Sequence, residues 1–263
     1  MIRVGVIGAA GKMGREVCRA VLADPDLHLV AAVEVRDNGT VGEVVGSDNL
    51  GTKIKMSDEL ETLTDAEVDV AVDFTHPSAV MQNIRWCVRH AVHAVVGTTG
   101  ITQENLDEIA ALIEEEGGES SVFIAPNFAT GAVLMMKFAA TAARYLPSVE
   151  IIELHHDQKA DAPSGTAAKS AHEIAAARAE AAPVAGGDAS FRGGDVEGIR
   201  IHSVRISGLV AHQEVLLGSP GQLLTIRHDS FDRASFMPGV LLAIKEVAKR
   251  PGVTYGLEHL LDL

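Results

Sequence analysis

Cysteine is scarce in this sequence, and long apolar runs are missing from it. Cys18 and Cys87 are the two cysteines among 263 residues, and each falls inside a predicted amphipathic helix. Two thiols without a motif favour a reducing compartment over a disulfide framework. No stretch reaches about 18 apolar residues, so no transmembrane helix is expected. The opening MIRVGVIG does not have the layout of a signal peptide. These absences predict a soluble, cytoplasmic protein.

Positive charge is also in short supply. The chain has 22 Lys and Arg residues against 36 Asp and Glu, which gives a formal net charge of −14. DNA, RNA and anionic membranes require a basic face, so the charge argues against these partners. It does not exclude a small anionic ligand, because a local pocket can be basic on an acidic protein. With 47% hydrophobic residues, the chain can form one large domain or two modest ones.

The first half of the chain alternates short apolar runs with helical patterns. Such alternation predicts an α/β fold with a Rossmann-like, doubly wound parallel sheet. The predicted strands are 2–7, 27–34, 68–74, 94–97 and 122–125, and the predicted helices are one ending near 23, then 78–90 and 103–116. The intervening region 35–52 is glycine-rich and weakly patterned, which favours a loop with a short helix.

The pattern changes after Pro126, where strand-like runs follow one another with little helix between them. This predicts a second, α+β domain with a mainly antiparallel sheet. The predicted helices are 131–145, 166–181 and 235–249, the predicted strands are 149–155, 199–209, 213–217 and 223–229, and 183–194 is a predicted loop. We therefore predict a first domain of 1–126, joined by a C-terminal helix within 236–263, and a second domain of 127–235.

The segment VGVIGAAGKMGREV places Gly8, Gly11 and Gly14 between a predicted strand and a predicted helix. Glycines there allow a tight turn and let backbone amides approach a pyrophosphate at the helix start. A glycine triplet alone is weak evidence, since it also fits an ordinary strand–helix turn. Glu34 strengthens it, because an acid about 20 residues later binds the ribose hydroxyls of a dinucleotide.

The preference between NADH and NADPH stays open. The carboxylate of Glu34 favours NAD, since it repels a 2′-phosphate. Lys12 and Arg36 could neutralise that phosphate, although each also fits a solvated surface charge. Use of both cofactors is therefore compatible with the sequence.

Three further predicted strands end in small polar segments: DFTHP (73–77), GTTG (97–100) and APNF (125–128). Ligands of open α/β sheets bind at the carboxyl ends of the strands. Any one of these segments fits ordinary turn chemistry. Three at consecutive strand ends favour a nicotinamide site.

The segment ELHHDQKADAPSGTAAKSA (153–171) concentrates proton carriers and anion-binding groups. His155, His156 and Lys159 can each exchange a proton or bind a carboxylate. Ser164 is a predicted helix cap, and the amides of Gly165 and Thr166 would face an anion. The histidines and nearby acids lack the spacing of a structural zinc site, so no metal is predicted. The chain also has no P-loop and no nucleophile elbow.

The chain resembles the dihydrodipicolinate reductase family over essentially its whole length. The segments GAAGKMG, DFTHP, GTTG, APNF and above all ELHHDQKADAPSGTA stand in the family's order. The resemblance implies a dinucleotide-binding domain followed by a domain for substrate binding and oligomerisation, assembled into a homotetramer through its sheets. It implies that NADH or NADPH reduces a cyclic imine dicarboxylate, 4-hydroxy-tetrahydrodipicolinate, to tetrahydrodipicolinate in diaminopimelate and lysine biosynthesis.

The resemblance also implies roles for individual residues. His155 would be the catalytic acid or base and Lys159 the proton donor, while His156, Gly165 and Thr166 would hold a substrate carboxylate beside the capping Ser164. Independently of the resemblance, the strand end DFTHP adds Phe74 and Thr75 to the predicted cofactor site, and Arg36 adds a cation. In some members of the family the basic residue directly follows the acid, whereas here Val35 intervenes. The remaining cofactor residues would be Gly8, Ala9, Ala10, Gly11, Lys12, Met13, Glu34, Gly97, Thr98, Thr99, Ala125, Pro126, Asn127 and Phe128.

Two other functions compete with this interpretation. Another nicotinamide-dependent reductase would share the glycine turn but has no reason to carry the histidine segment. A non-catalytic dinucleotide-binding regulator would bind cofactor and survive the loss of His155 and Lys159. The sequence also leaves open tetramer against dimer, the hydroxylated against the dehydrated substrate, and whether His155 or Lys159 gives the decisive proton.

Overall fold

The computed structural model describes residues 1–36, 39–46, 53–178 and 191–261. The chain divides into two compact units. The first consists of Met1–Phe128 and Phe236–Leu263, and the second of Ala129–Ser235. Each unit contains one β-sheet. In the part of the chain that is described, no helix has the length and apolarity to cross a membrane.

The first unit is built on a seven-stranded sheet in which every neighbouring pair runs parallel. With elements numbered along the whole chain, its strands are β1 (Ile2–Ile7), β2 (Leu27–Val33), β3 (Met56–Ser57), β4 (Val70–Asp73), β5 (His93–Val96), β6 (Ser121–Ile124) and β12 (Gly252–Tyr255). Its α-helices are α1 (Lys12–Ala23), α2 (Val41–Val45), α3 (Thr62–Asp65), α4 (Pro77–Arg89), α5 (Gln103–Glu115) and α8 (Met237–Glu246).

The strand order is β12-β6-β5-β4-β1-β2-β3. The chain leaves β1 towards β2 on one side and later returns to β4 on the other, which creates a topological switch point at the carboxyl ends of β1 and β4. All of β4 and β5 except His93 is buried, as expected for parallel strands covered by helices on both faces. The predicted doubly wound parallel sheet is confirmed.

The described residues of the second unit form a five-stranded sheet and two helices. The strands are β7 (Ser148–His155), β8 (Gly194–Val196), β9 (Ile199–Arg205), β10 (Ala211–Ser219) and β11 (Gln222–Ser230), and the helices are α6 (Thr130–Ala143) and α7 (Gly165–Ala177). The strand order is β11-β10-β7-β9-β8. Among these described strands only β7 and β9 pair in parallel, and the other neighbours are antiparallel, so the predicted mainly antiparallel sheet is confirmed.

Burial alternates along β7, the central strand of this sheet. Val149, Ile151 and Glu153 are buried, whereas the residues between them are half-exposed. Helix α7 packs on β7 and β9, and α6 packs on β10 and β11. Since side chains alternate between faces of a strand, Glu153 shares its face with Val149 and Ile151. A carboxylate thus occupies a position where the pattern expects an apolar side chain.

Several predicted boundaries were wrong. The strand predicted over 199–209 ends at Arg205, because the chain turns through Gly208 with φ of +94°. The last helix, predicted as 235–249, consists of α8 between two 3-10 turns, Arg233–Phe236 and Val247–Lys249. Strands β3, β8 and β12 were not predicted, since runs of two to four residues carry little periodicity. Most of the predicted loop 183–194 and part of the region 35–52 lie outside the described residues.

Candidate functional site

The glycine turn of the first unit follows β1 and leads into α1. Gly8 has a φ of +81°, and a Cβ there would lie 2.8 Å from the carbonyl oxygen of Phe74. A Cβ on Gly14 would lie 2.0 Å from the carbonyl oxygen of Gly8. The amides of Gly8 and Ala9 both donate to the carbonyl of Val33, at 2.9 and 3.1 Å. The start of α1 lies so close against the strand ends that only glycine fits at positions 8 and 14.

Glu34 lies directly after β2, beside this turn. Its amide donates to the carbonyl of Ser57 at 2.8 Å, which fixes the residue to the end of β3. Its carboxylate accepts a hydrogen bond from the amide of Ala10 at 3.2 Å. The carboxylate is thus held against the turn, as a partner for ribose hydroxyls requires.

A cavity of 740 Å³ opens at the carboxyl ends of β1, β2 and β4. Its lining joins several residues of the predicted cofactor site: Gly8, Ala10, Gly11, Glu34, Arg36, Phe74 and Thr75. His76, from the DFTHP segment, also lines the cavity. The remaining lining residues were not predicted: Ile7, Val33, Val35, Asp58, Leu60, Ala79, Gln82 and Asn83. The remaining predicted cofactor residues are not part of this lining: Ala9, Lys12, Met13, Gly97, Thr98, Thr99 and 125–128.

Beside the cavity, the buried carboxylate of Asp73 organises two strand ends. Its Oδ1 accepts from the Thr75 amide at 3.0 Å and from the hydroxyls of Thr75 and Thr98, each at 2.8 Å. Its Oδ2 accepts from the side-chain amide of Asn83 at 2.7 Å. Asp73 is 2% exposed. One carboxylate therefore holds the ends of β4 and β5 to each other and to α4.

Aromatic packing connects the three predicted strand-end segments. A Cβ on Gly97 would lie 2.0 Å from the ring of Phe74. That ring packs against Phe128 with centroids 5.8 Å apart. The amide of Ala125 donates to the carbonyl of Val96 at 3.0 Å. DFTHP, GTTG and APNF therefore meet at one edge of the sheet, and these residues together with the glycine turn and Glu34 fit a dinucleotide.

In the second unit, the start of α7 is fixed by polar contacts. The hydroxyl of Ser164 accepts from the amide of Ala167 at 3.2 Å, which confirms the predicted helix cap. The side chain of Gln213 donates to the hydroxyl of Ser170 at 2.7 Å, and that hydroxyl donates to the carbonyl of Thr166 at 2.8 Å. A Cβ on Gly165 would meet no atom of the described residues within 4 Å, so the helix start offers open space to an anion.

His155 lies at the end of β7 and contacts Glu153 on the same face. Its Nδ1 is 2.5 Å from Oε2 of Glu153, and its side chain is 14% exposed. Arg205 on β9 donates to both carboxylate oxygens of Glu153, at 2.8 and 2.9 Å. The amide of Ser164 donates to Oε1 of Glu153 at 3.3 Å. The carboxylate, which is 0% exposed, joins the histidine to the residue that caps α7.

The pKa values in this group follow from burial and charge. Burial lowers the pKa of His155, and the charges of Lys159 and Arg205 lower it further, against the opposing effect of Glu153. Burial by itself would raise the pKa of Glu153, but hydrogen bonds from Arg205, Ser203 and His155 hold it below its usual range. His155 is therefore neutral and Glu153 ionised near neutral pH.

Lys159 follows in the loop before α7. Its ammonium lies 2.7 Å from Oδ1 of Asp161, and this pairing lowers the pKa of Asp161. His156 is exposed just beyond the strand. The loop is attached to β9, since Arg205 donates to the carbonyl of Asp161 at 2.6 Å. Among the described residues, no cluster of three His, Cys, Asp or Glu side chains could hold a metal ion.

Sequence reasoning missed Arg205, Gln213 and Ser170, and gave no role to Glu153. The available signal for Glu153 was an acid that continues the alternation of Val149 and Ile151 on a predicted strand, two residues before a histidine. Arg205 offered none, because its contact with Glu153 joins strands 52 residues apart.

Models of one protein family match both units. The dihydrodipicolinate reductase N-terminal model matches residues 2–128, and the corresponding C-terminal model matches residues 131–261.

The chain belongs to the dihydrodipicolinate reductase family.

Named relatives of this family match over the full length. A 4-hydroxy-tetrahydrodipicolinate reductase from Nocardia farcinica is 52% identical, over 100% of this chain and 99% of the relative. One from Streptomyces griseus is 49% identical, over 100% of this chain and 98% of the relative. A solved structure, dipicolinate-bound dihydrodipicolinate reductase from Paenisporosarcina sp. TG-14, is 43% identical with a TM-score of 0.86, over 99% of this chain and 100% of that one. An amine dehydrogenase from Mycobacterium smegmatis, 17% identical with a TM-score of 0.67 over 96% and 94% of the two chains, shares the fold.

Proposed function

We propose that this protein reduces 4-hydroxy-tetrahydrodipicolinate to tetrahydrodipicolinate with NADH or NADPH, in diaminopimelate and lysine biosynthesis. The observation that carries the proposal is the histidine group of the second unit in a chain of this family. A neutral histidine, a lysine ammonium and a capped helix start belong to one connected set of contacts. The reaction consumes one proton with each reduced cofactor, and the hydroxylated ring also loses one water.

The first unit would hold the cofactor. Gly8–Met13 and the start of α1 face the pyrophosphate, and Glu34 takes the ribose hydroxyls. The segments 74–75, 97–99 and 125–128 border the nicotinamide. When bound, the reduced nicotinamide supplies the hydride. Arg36 lines the same cavity as Glu34, and its cation would offset the repulsion between that carboxylate and a 2′-phosphate. We therefore propose that both cofactors are used.

The second unit would hold the substrate. One ring carboxylate binds at the start of α7, where Gly165, Thr166, the capping Ser164 and the exposed His156 offer donors. Reduction leaves an electron pair on the ring that must take up a proton, and His155 or Lys159 supplies or relays it. The dipicolinate ligand named for the similar structure from Paenisporosarcina sp. TG-14 supports a dicarboxylate here.

A coupled assay tests this proposal. The preceding synthase generates the substrate from pyruvate and aspartate semialdehyde, and consumption of NADH and of NADPH is followed separately. We expect consumption that requires the synthase. A double variant, His155→Gln with Lys159→Met, should lose at least about 10²-fold in turnover and keep its dinucleotide affinity. Lys169→Met is the matched control, because Lys169 pairs with Glu173 at 3.6 Å on α7.

Two results would contradict the proposal. One is the absence of consumption by folded protein that binds dinucleotide. The other is full turnover by the double variant, which would favour a regulator or a different reductase.

We also propose that the protein is a homotetramer assembled through its second unit. On the face of β7 that points away from α7, Ile152 and Leu154 are half-exposed. Leu154 pairs in register with Val204, which is 36% exposed. This apolar face supports self-association. Light scattering should give four chains per particle, and Leu154→Lys should give fewer. The buried, free thiols of Cys18 and Cys87 support the predicted cytoplasmic location, which stays a prediction.

A further inference from the structure

Glu153 is a charged residue in a position built for an apolar one. It lies on the helix-covered face of β7, in line with Val149 and Ile151, and is 0% exposed. Burying a carboxylate costs several kcal/mol unless charges and hydrogen bonds compensate it. Compensation is nearly complete here, because Arg205 binds both oxygens, the Ser164 amide binds one and His155 binds the other.

The ionised state of Glu153 determines where the hydrogen of His155 lies. An ionised carboxylate is purely an acceptor, so the nitrogen that contacts it must carry the hydrogen. That nitrogen is Nδ1, at 2.5 Å from Oε2. A neutral imidazole has one N–H, and Nε2 is then the unprotonated atom.

Lys159 has the opposite character. Its ammonium lies 2.7 Å from Asp161 and, while charged, has three donors and no acceptor. Two neighbouring groups of the proposed active site therefore differ in kind: one presents a lone pair and the other presents protons. The group that presents a lone pair can act as the base, and the group that presents protons can act as the acid.

We propose that Glu153 is a positioning residue that holds His155 with its hydrogen on Nδ1, so that Nε2 accepts a hydrogen bond from the substrate. The inference depends on the proposed function only for the identity of the substrate. Lys159 then completes the reduction: an N–H bond of its ammonium breaks, a C–H bond forms on the ring, and water returns a proton to the amine. Arg205 keeps Glu153 ionised throughout.

The position of the hydrogen can be observed without any substrate. The chain is labelled with ¹⁵N-histidine and the ring nitrogens are observed by solid-state NMR at neutral pH. The His155 signals are assigned by their loss in His155→Gln. We expect Nδ1 to carry the hydrogen and Nε2 to have the shift of an unprotonated nitrogen. A hydrogen on Nε2 of the wild-type protein, on that atom alone or on both, overturns the proposal.

Glu153→Gln tests the consequence for catalysis. The variant keeps the shape but not the charge, so the hydrogen of His155 should redistribute between the two nitrogens. We expect kcat to fall about 10- to 100-fold, part of the 10² to 10⁴ that acid–base catalysis contributes. The matched control is Glu150→Gln, since Glu150 on the other face of β7 likewise binds an arginine and a histidine, Arg192 and His202. The control should leave the His155 signals unchanged.

The pH profile distinguishes positioning from mere structural support. The charged groups around His155 are Glu153, Lys159 and Arg205, and of these Glu153 alone raises its pKa. Removing that carboxylate lowers the pKa of His155, so the acid limb of the residual activity should move to lower pH. As the solution is acidified, a variant that was only destabilised would instead unfold and lose its activity at a higher pH than the wild type does. Unchanged kcat and an unchanged tautomer in Glu153→Gln would refute the proposal.

The two proposals fail separately. If the wild-type protein shows the expected tautomer and no reductase activity, then the proposed substrate is wrong and the Glu153–His155 arrangement stands. If activity is present and the tautomer is reversed, then the reductase function stands and the role of Glu153 is wrong.

Discussion

Replacing Asp73 by asparagine should destabilise the first unit and weaken dinucleotide binding. Asp73 is buried at the end of β4, where its Oδ1 accepts three hydrogen bonds and its Oδ2 accepts one from Asn83. The substitution keeps the shape of the side chain and exchanges one acceptor oxygen for an NH₂ donor. In one orientation, that donor faces the donor amide of Asn83 at the present 2.7 Å. In the other, it faces the hydroxyls of Thr75 and Thr98.

The magnitude follows from these contacts. Leaving a buried donor or acceptor without a partner costs about 1–3 kcal/mol. Rotation of the Asn83 amide would relieve part of this cost, but the charge-assisted hydrogen bond to Asn83 would still be lost. We therefore expect the free energy of unfolding to fall by at least about 1–2 kcal/mol. A loss of 1 kcal/mol lowers the midpoint of thermal unfolding by about 2–4 °C in a unit of this size. Dinucleotide affinity should also fall, because Thr75 and Asn83 line the cavity.

The single tryptophan makes the assay specific to the first unit. Trp86 lies on α4, the helix that also carries Asn83. Urea unfolding followed by its fluorescence therefore measures the free energy of unfolding where the network is. The control is Asp107→Asn on α5, since the exposed Asp107 accepts a single bond from Gln103 at 2.9 Å and should change stability by less than about 0.5 kcal/mol. If Asp73→Asn unfolds like this control, then the network does not stabilise the strand ends and the reasoning is refuted.

Three further predictions concern other parts of the chain. Gly14→Ala should lower dinucleotide affinity more than about tenfold, a change of 1.4 kcal/mol, because its Cβ would lie 2.0 Å from the carbonyl oxygen of Gly8; titration calorimetry measures this, and unchanged affinity would contradict it. Arg36→Ala should lower kcat/KM for NADPH relative to NADH by about tenfold, again about 1.4 kcal/mol; an unchanged ratio would show that Arg36 does not contact a 2′-phosphate. Arg205→Met should destabilise the second unit by about 3–5 kcal/mol near neutral pH, because it leaves the buried charge of Glu153 unpaired. In the wild type, the lowered pKa of Glu153 contributes stability that is lost as pH falls through that pKa. In Arg205→Met, burial raises the pKa of Glu153, so protonation at lower pH should reduce the loss of stability relative to the wild type. Unfolding followed by circular dichroism at several pH values measures this difference, and a difference that grows as pH falls would contradict the prediction.

The dinucleotide-binding half was largely predictable because its signals are local. The apolar runs of parallel strands, the turn from Gly8 to Gly14 and the acid at Glu34 all lie within a short stretch of chain. Periodicity and glycine geometry were sufficient to place them. Strand β12 was missed for the opposite reason, since it reaches the edge of the sheet from the far end of the chain and pairs with β6 over four residues.

The second unit was predictable in its segment but not in its contacts. Ser164 as the cap of α7 follows from a local rule and is confirmed. The partners of His155 depend on which strands become neighbours. Arg205 reaches Glu153 because β7 and β9 pair in parallel with His155 opposite Arg205, and no pattern along the sequence specifies that register.

The most direct test of the proposed reduction follows the hydrogen itself. Nicotinamide cofactor carrying two deuterium atoms at C4 is supplied with substrate made in place by the synthase, and the ring product is weighed by mass spectrometry. The account predicts one deuterium in each product molecule with the wild-type protein, and at least about 10²-fold slower formation of the same deuterated product with His155→Gln combined with Lys159→Met. A product formed by the wild type without deuterium, or no product at all, would contradict hydride transfer to this substrate.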